Sequence, residues 1–461
     1  MITTANNTNL ISRKNIFQMF LMVLCTALVV FGVYSYMLSS IFTASVLKHT
    51  HVKQNCKLTI LDPWNASVSN YLRTGVKINC SSTPSLMLVD EKGILKFNIT
   101  ALKTPYHVET KNLLCSYCRI ERKANDKSVE YGMSFEITPP EFIPARFFRV
   151  KCKDQKKLVY DDLLMNMQWK DNFSNINQIE ETDDKLSVIV FGIDSLSRSH
   201  FIRKLRKTYN FLTDKLNAYD FRGYVKVGEN SFPNLIPLLT GRNVSEVPAE
   251  KFRNAYLDDL PFVWKEAAMS KYTTMYAEDE AAYSTFNYLK EGFRYPPTDY
   301  YLRPLMLAVK KFNPIFVEEV RGSRYCHGNI EQYKLQLEFF KGFIQKYKNK
   351  LRFVFSWLNQ LTHDVFNGIE NFDETFADLL KWMEDEGHLK RAVLIILSDH
   401  GFRLGGFSTT PLGKLETSLP FLAVYIPKTL KQTYSTLNGN MQANTERLIT
   451  AFDLHQTIQD I

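Results

Sequence analysis

The chain has 461 residues, 45% of them hydrophobic and 23% charged, with a net charge of +9. This is ordinary globular composition, which excludes wholesale disorder and leaves room for a sizeable core. No block of consecutive basic residues stands out, so the charge gives no nucleic-acid footprint and implies a mildly basic surface suited to anionic substrates or lipid headgroups.

Residues 1–15 are polar and read as a short cytosolic tail. From Ile16 to Leu38 no residue is charged, and at about 1.5 Å per residue the run is long enough to cross a bilayer. The alternative is a cleaved signal peptide, but the apolar stretch is long for one and no clean small-x-small cleavage site stands out. The sequence therefore predicts a transmembrane signal anchor over 16–38. Basic residues flank both ends, so orientation rests on the sequons and cysteines. After the apolar run, Asn-x-Ser/Thr sequons occur at Asn65, Asn79, Asn98, Asn172 and Asn243, which marks these five as glycosylation candidates on one side of the membrane. Outside the run lie Cys56, Cys80, Cys115, Cys118, Cys152 and Cys326. Six is an even number, compatible with three disulfides in an oxidising compartment and with 15 connectivities. Cys115 and Cys118 form a CxxC with no second CxxC for zinc. Together these features predict a single-pass type II protein with its bulk lumenal or extracellular, or a secreted one if the N-terminal segment is removed.

Residues 39–180 hold five of those six cysteines and four of the five sequons. Alternating runs such as Leu95–Ile99 and Phe147–Val150 read as short strands, giving a disulfide-stapled β-rich domain. The polar, acidic stretch Asp171–Asp184 reads as a linker. The texture then changes, and residues 185–461 read as one large α/β domain. Leu186–Ile193 is almost wholly apolar, the pattern of a strand buried on both faces of a mainly parallel sheet. Similar runs recur at Tyr272–Tyr276, Arg352–Leu358, Ala392–Leu397 and Leu419–Ile426. Amphipathic helical segments alternate with them at Phe201–Leu216, Ile330–Tyr347, Phe372–Glu386 and Thr445–Ile461.

Ligands of such sheets bind beyond the carboxyl ends of the strands. Asp194 comes after the first run, His363 and Asp364 after the third, Asp399 and His400 after the fourth. Carboxylates and imidazoles there suit a divalent metal. Each alone has a plainer reading: an Asp after a strand is commonly a helix cap or turn residue, and a single His is more often a hydrogen-bonded structural one. Glu229–Gly241 reads as a loop entering a helix, with Pro233 in its first turn and Gly241 at its end. Ser231 then sits at a helix N-terminus, either as a simple N-cap or facing an anion there.

These pieces resemble a known family. Ser231-Phe232-Pro233-Asn234 followed by Leu238-Leu239-Thr240-Gly241 looks like the nucleophile motif of the alkaline phosphatase superfamily. The nearest version is that of nucleotide pyrophosphatase/phosphodiesterases, which carry Thr at the position of Ser231. Gly192-Ile193-Asp194 resembles the superfamily's first metal-ligand strand and Ser398-Asp399-His400-Gly401 its second. Leu419-Pro420-Phe421 and Phe452–Thr457 resemble its last core strand and helix. With Ser195–Ser199 and Gly413–Glu416, the set is most similar to an uncharacterised sulfatase-like family, a domain of unknown function in animal membrane and secreted proteins. The resemblance spans roughly residues 50–461 and is strongest after 186.

The resemblance implies an alkaline-phosphatase-like core in which Asp194, Asp399 and His400 hold one divalent metal, zinc or manganese. Ser231 would complete that site and act as nucleophile. Asn234, and less directly Arg198, would donate to a phosphoryl or sulfuryl oxygen. His363 resembles part of a second-metal site, but the family's spaced Asp/His pair is here contiguous, and the only later histidine is His455. Formylglycine sulfatases need Arg where Leu235 stands, which favours phosphoester over sulfate-ester chemistry. Relatives often continue beyond the last core helix, which here ends at Ile461. The implied activity is a phosphoester hydrolase or headgroup transferase, acting on a small-molecule, glycan or lipid-headgroup ester. The alternative is the same fold without turnover, serving as a binding ectodomain.

Overall fold

The computed structural model describes residues 58–169, 179–182, 185–247, 254–312 and 325–461. The predicted tail, the 16–38 anchor, Cys25, Cys56 and Asn172 lie outside them. No described helix is long and apolar enough to cross a membrane. Leu58–Ile461 forms one compact unit.

Its first part is β-rich, as the alternating runs predict. Strands β1 (Leu113–Arg122), β2 (Val129–Ile137), β3 (Phe147–Asp154) and β4 (Lys157–Met165) form an antiparallel sheet in the order β2-β1-β3-β4. Short strands Met87–Val89, Ile94–Phe97 and Glu141–Phe142 make a second small sheet. Disulfides join Cys115 to Cys152, across β1 and β3, and Cys80 to Cys326. Cys118 is a free thiol. The CxxC pair cannot close on itself here, because odd spacing in a strand sends its two side chains to opposite faces.

The rest is built on a seven-stranded sheet. Its strands are β5 (Ser187–Ile193), β6 (Tyr219–Asp220), β7 (Thr273–Glu278), β8 (Tyr300–Tyr301), β9 (Arg352–Leu358), β10 (Ala392–Leu397) and β11 (Leu422–Tyr425). Their order is β8-β7-β9-β5-β10-β11-β6. β8, β7, β9, β5 and β10 run parallel; β11 and β6 pair antiparallel at one edge. Every residue of β5, β7, β9, β10 and β11 is buried, which is why β5, β10 and β11 are almost wholly apolar; β7 also buries Thr273, Thr274 and Glu278. One face packs on Phe191, Phe340, Phe372 and Phe376, the other on Trp264, Phe286, Phe355 and Trp357. At Gly192 in the central strand, an added Cβ would lie 1.8 Å from the Trp357 ring on β9. Only glycine lets that indole cross the sheet.

The helices that concern the site are α1 (Arg198–Lys204), α2 (Ser231–Thr240), α3 (Arg303–Lys310), α4 (Gln332–Lys346), α5 (Asp373–Asp385), α6 (Pro411–Ser418) and α7 (Ala451–Asp460). The single predicted helix at 201–216 is broken: α1 stops at Lys204, a second turn covers Arg206–Asn210, and a π turn covers Phe211–Lys215. Ile120 and Phe147 from the first sheet sit in the same hydrophobic cluster as Phe339 and Leu305 of α4 and α3. This is the expected alkaline-phosphatase-like α/β core with a disulfide-containing β region packed on it.

Candidate functional site

Three loops at the carboxyl edge of the sheet converge. Asp194 lies just past β5, Asp399 and His400 just past the adjacent β10, and the loop before α2 brings in Ser231. Ser195 adopts φ 57°, a left-handed turn that few non-glycine residues take. It directs the Ser195 N–H to Asp399 Oδ1 at 3.1 Å. The Ser398 hydroxyl accepts the Leu196 N–H at 2.9 Å and donates to the His400 carbonyl at 3.0 Å, tying the two strand ends together.

Asp194, Asp399 and His400 are at most 1% exposed. They offer ligand atoms all within 4.8 Å of one another, and among the described residues they are the one such group of three. His400 Nε2 stands 3.3 Å from Asp399 Oδ2 and 3.8 Å from Asp194 Oδ1. His400 Nδ1 lies 2.9 Å from the Gly401 carbonyl. A carbonyl only accepts, so Nδ1 carries the proton and a neutral ring presents the Nε2 lone pair to the carboxylates. Burial pushes the His400 pKa down and keeps the ring neutral. Burial, reinforced by the Asp399 charge, pushes the Asp194 carboxyl well above the usual carboxylate range. Asp194 Oδ2, Asp399 Oδ2 and His400 Nε2 are buried without a hydrogen-bond partner. Three buried acceptors facing one another are costly unless a cation lies between them. The donor set of two carboxylates and a neutral imidazole fits a divalent metal.

Ser231 is the first residue of α2, and Asn230 holds the N-cap position without a side-chain cap bond. The simple N-cap reading of Ser231 is therefore set aside. Its hydroxyl donates to Asp194 Oδ1 at 2.9 Å. The uncapped end of this ten-residue helix presents backbone N–H groups and a positive dipole end beside the hydroxyl.

The other predicted site residues stand differently. Asn234 does not point at a vacant oxygen site. Its Oδ1 accepts from the Val227 and Gly228 N–H groups, and its Nδ2 donates to the Gly228 and Asn230 carbonyls. All four hydrogen-bonding positions of the amide are used, so it shapes the loop that carries Ser231. Arg198 is likewise committed, with Nε and Nη2 both donating to the Asp220 carboxylate, which also accepts from the Tyr209 hydroxyl. That fork pins α1 to the sheet edge. His363 stacks on Tyr283 and hydrogen-bonds Asp364 through Nδ1 at 2.7 Å, outside the three-residue group. His455 packs from α7 against Gly241 and the Leu238 carbonyl, which makes it a structural histidine. Leu235 is buried in the core.

Two motifs find a structural role. Glu416 of α6 accepts from the Ser197 hydroxyl and from Arg203 in a pair whose side chains are 2% and 1% exposed. It thereby anchors the Ser195–Ser199 turn behind the site. Sequence reasoning gave no role to Lys226 and Arg403, which belong to no motif, or to Lys414 within Gly413–Glu416; the three come from separate segments and line one cleft.

Fold and site together define an α/β protein with a clustered Asp/Asp/His group beside a helix-borne serine. Residues 75–461 match the family described as "Protein of unknown function (DUF229)", and the chain belongs to that family. No curated protein matches the chain. Among solved structures it is similar to the C-terminal periplasmic domain of EcEptC from Escherichia coli in complex with Zn, at 12% identity and TM-score 0.40, covering 62% of this chain and 84% of that one. It is similar to the soluble domain of lipooligosaccharide phosphoethanolamine transferase A from Neisseria meningitidis, at 10% identity and TM-score 0.37, covering 61% and 90%. The PsFucS1 sulfatase from Pseudoalteromonas sp. is similar at 13% identity and TM-score 0.35, covering 52% and 62%.

Proposed function

We propose that the protein is a metal-dependent phosphoester hydrolase or headgroup transferase with Ser231 as nucleophile. The observation that carries this reading is the bond from Ser231 Oγ to Asp194 Oδ1, beside three partnerless buried atoms of Asp194, Asp399 and His400. Asp194 holds the hydroxyl proton and so turns the Oγ lone pairs away from itself, towards an incoming ester. The N–H groups at the start of α2 face the oxygens of the transferred group. Ser231 Oγ forms a bond to phosphorus as the bond to the leaving alcohol breaks. Water or an acceptor alcohol then displaces the serine, giving hydrolysis or transfer. A divalent cation, zinc or manganese, held by Asp194, Asp399, His400 and Ser231, would neutralise the charge developing on that group and acidify the serine hydroxyl. Leu235 in place of the sulfatase arginine favours phosphate over sulfate esters. The substrate class is a small-molecule, glycan or lipid-headgroup phosphoester.

The test is turnover of aryl phosphate and phosphodiester substrates by the intact protein. Ser231→Ala and Asp399→Ala should each lower the rate by about 10³-fold or more, as loss of a nucleophile or a metal ligand does, with the fold retained. Full activity in either variant would rule the assignment out. A second reading, a binding ectodomain without turnover, is favoured by the presence of only one such cluster among the described residues. It predicts metal binding with no hydrolysis in the unmodified protein.

A further inference from the structure

The catalytic reading leaves unexplained a cleft of about 330 Å³ lined by Lys226, Glu229, Arg403, Ser408, Lys414 and Thr417. Two of its walls are the segments that carry the site, 226–231 and 400–403, and the third is α6. It holds three cations and one acid. Glu229 is already paired to Lys226 at 2.7 Å, so the charges do not cancel. Among the described residues neither Arg403 nor Lys414 has a carboxylate partner. Arg403 Nη1 donates to Asn230 Oδ1, next to the nucleophile. Arg403 Nε is buried with no hydrogen-bond partner, an orphan donor that calls for an acceptor. The Lys226 side chain is 11% exposed, its ammonium held against the loop before Ser231. A volume near 330 Å³ is at the lower end of ordinary ligand pockets and fits one oxyanion with part of its carrier.

We propose that this cleft binds a second anionic group of the substrate, a phosphate, sulfate or carboxylate separate from the ester at Ser231, through Lys226, Arg403 and Lys414. The proposal rests on the catalytic reading for where the reacting ester lies, and it narrows the substrate to esters carrying a second negative group. Arg403 supplies directional donors and the two lysines supply point charges. A soluble bisphosphorylated sugar and an anionic lipid headgroup share this chemistry.

The test reads binding without turnover. Calorimetry on the intact Ser231→Ala protein should give pyrophosphate at least about tenfold tighter than inorganic phosphate, roughly 1.4 kcal/mol. Arg403→Gln with Lys414→Gln should abolish that preference, and Lys414→Glu alone, at an exposed position, should weaken pyrophosphate binding without a folding defect. Displacement of pyrophosphate by glucose 1,6-bisphosphate would assign a soluble sugar. Displacement by phosphatidylcholine vesicles containing phosphatidylinositol 4-phosphate would assign a lipid headgroup. Equal affinities in the parent protein, an undiminished preference in the variants, or displacement by neither competitor would overturn the proposal. A retained preference, together with no turnover by the unmodified protein, would count against the catalytic reading alone.

Discussion

Asn234 and Arg198 show how a side chain can sit in the right motif and do other work. A motif fixes where a residue stands along the chain, not whether its donors are already spent. Asn234 is saturated by its own loop and Arg198 by Asp220; neither commitment is visible without coordinates. Asp194, Asp399 and His400 were legible because each lies directly after a buried strand, and adjacent strands end side by side. The same strand-end logic leads to Glu278 and Asp279 at the end of β7, which the motifs do not flag. Burial pushes both carboxyls up to about 7, against hydrogen bonds from Thr285 to Glu278 and from the Asn359 and Gln360 N–H groups to Asp279. In the folded protein they hold protons that the unfolded chain releases near 4. Their contribution to stability is therefore complete below about 4 and is lost as pH rises to about 7, by up to about 1.4 kcal/mol per pH unit for each group. Urea denaturation between pH 5 and 8 should show stability falling across this window, and Glu278→Gln should flatten the slope. A slope unchanged by that substitution would contradict the assignment.

At the scale of elements, the sheet was the most legible part. The runs at 352–358 and 392–397 coincide with β9 and β10, since a strand covered on both faces is mostly apolar; the two polar residues of β9, Arg352 and Ser356, are themselves buried. Short edge strands such as β6 and β8 carry two residues each and give no periodicity to read. The 201–216 helix was over-extended because its apolar spacing continues through a break at Leu205 that only packing reveals. Of the three disulfides that six cysteines allow, two form among the described residues and Cys118 stays free. Cysteine parity cannot report which face of β1 a thiol occupies. The basic cleft was illegible for a related reason: Lys226, Arg403 and Lys414 come from three segments and meet only in the fold.

For the whole molecule, the proposed topology is an anchor at 16–38 with residues beyond it lumenal or extracellular and glycosylated. Asn65, Asn79 and Asn243 are exposed, whereas the Asn98 amide donates to the Ser85 carbonyl and accepts from the Ala101 N–H. Glycosidase treatment of the protein from secretory cells should release glycans from the three exposed sites, and an unshifted mass would sink the topology. The account as a whole depends on a cation bridging the loops at the ends of β5 and β10. Elemental analysis of the purified intact protein tests this most directly. It should find about one tightly held divalent ion per chain, lost in both Asp399→Asn and Asp194→Asn; a metal-free protein, or metal retained in both variants, would contradict it.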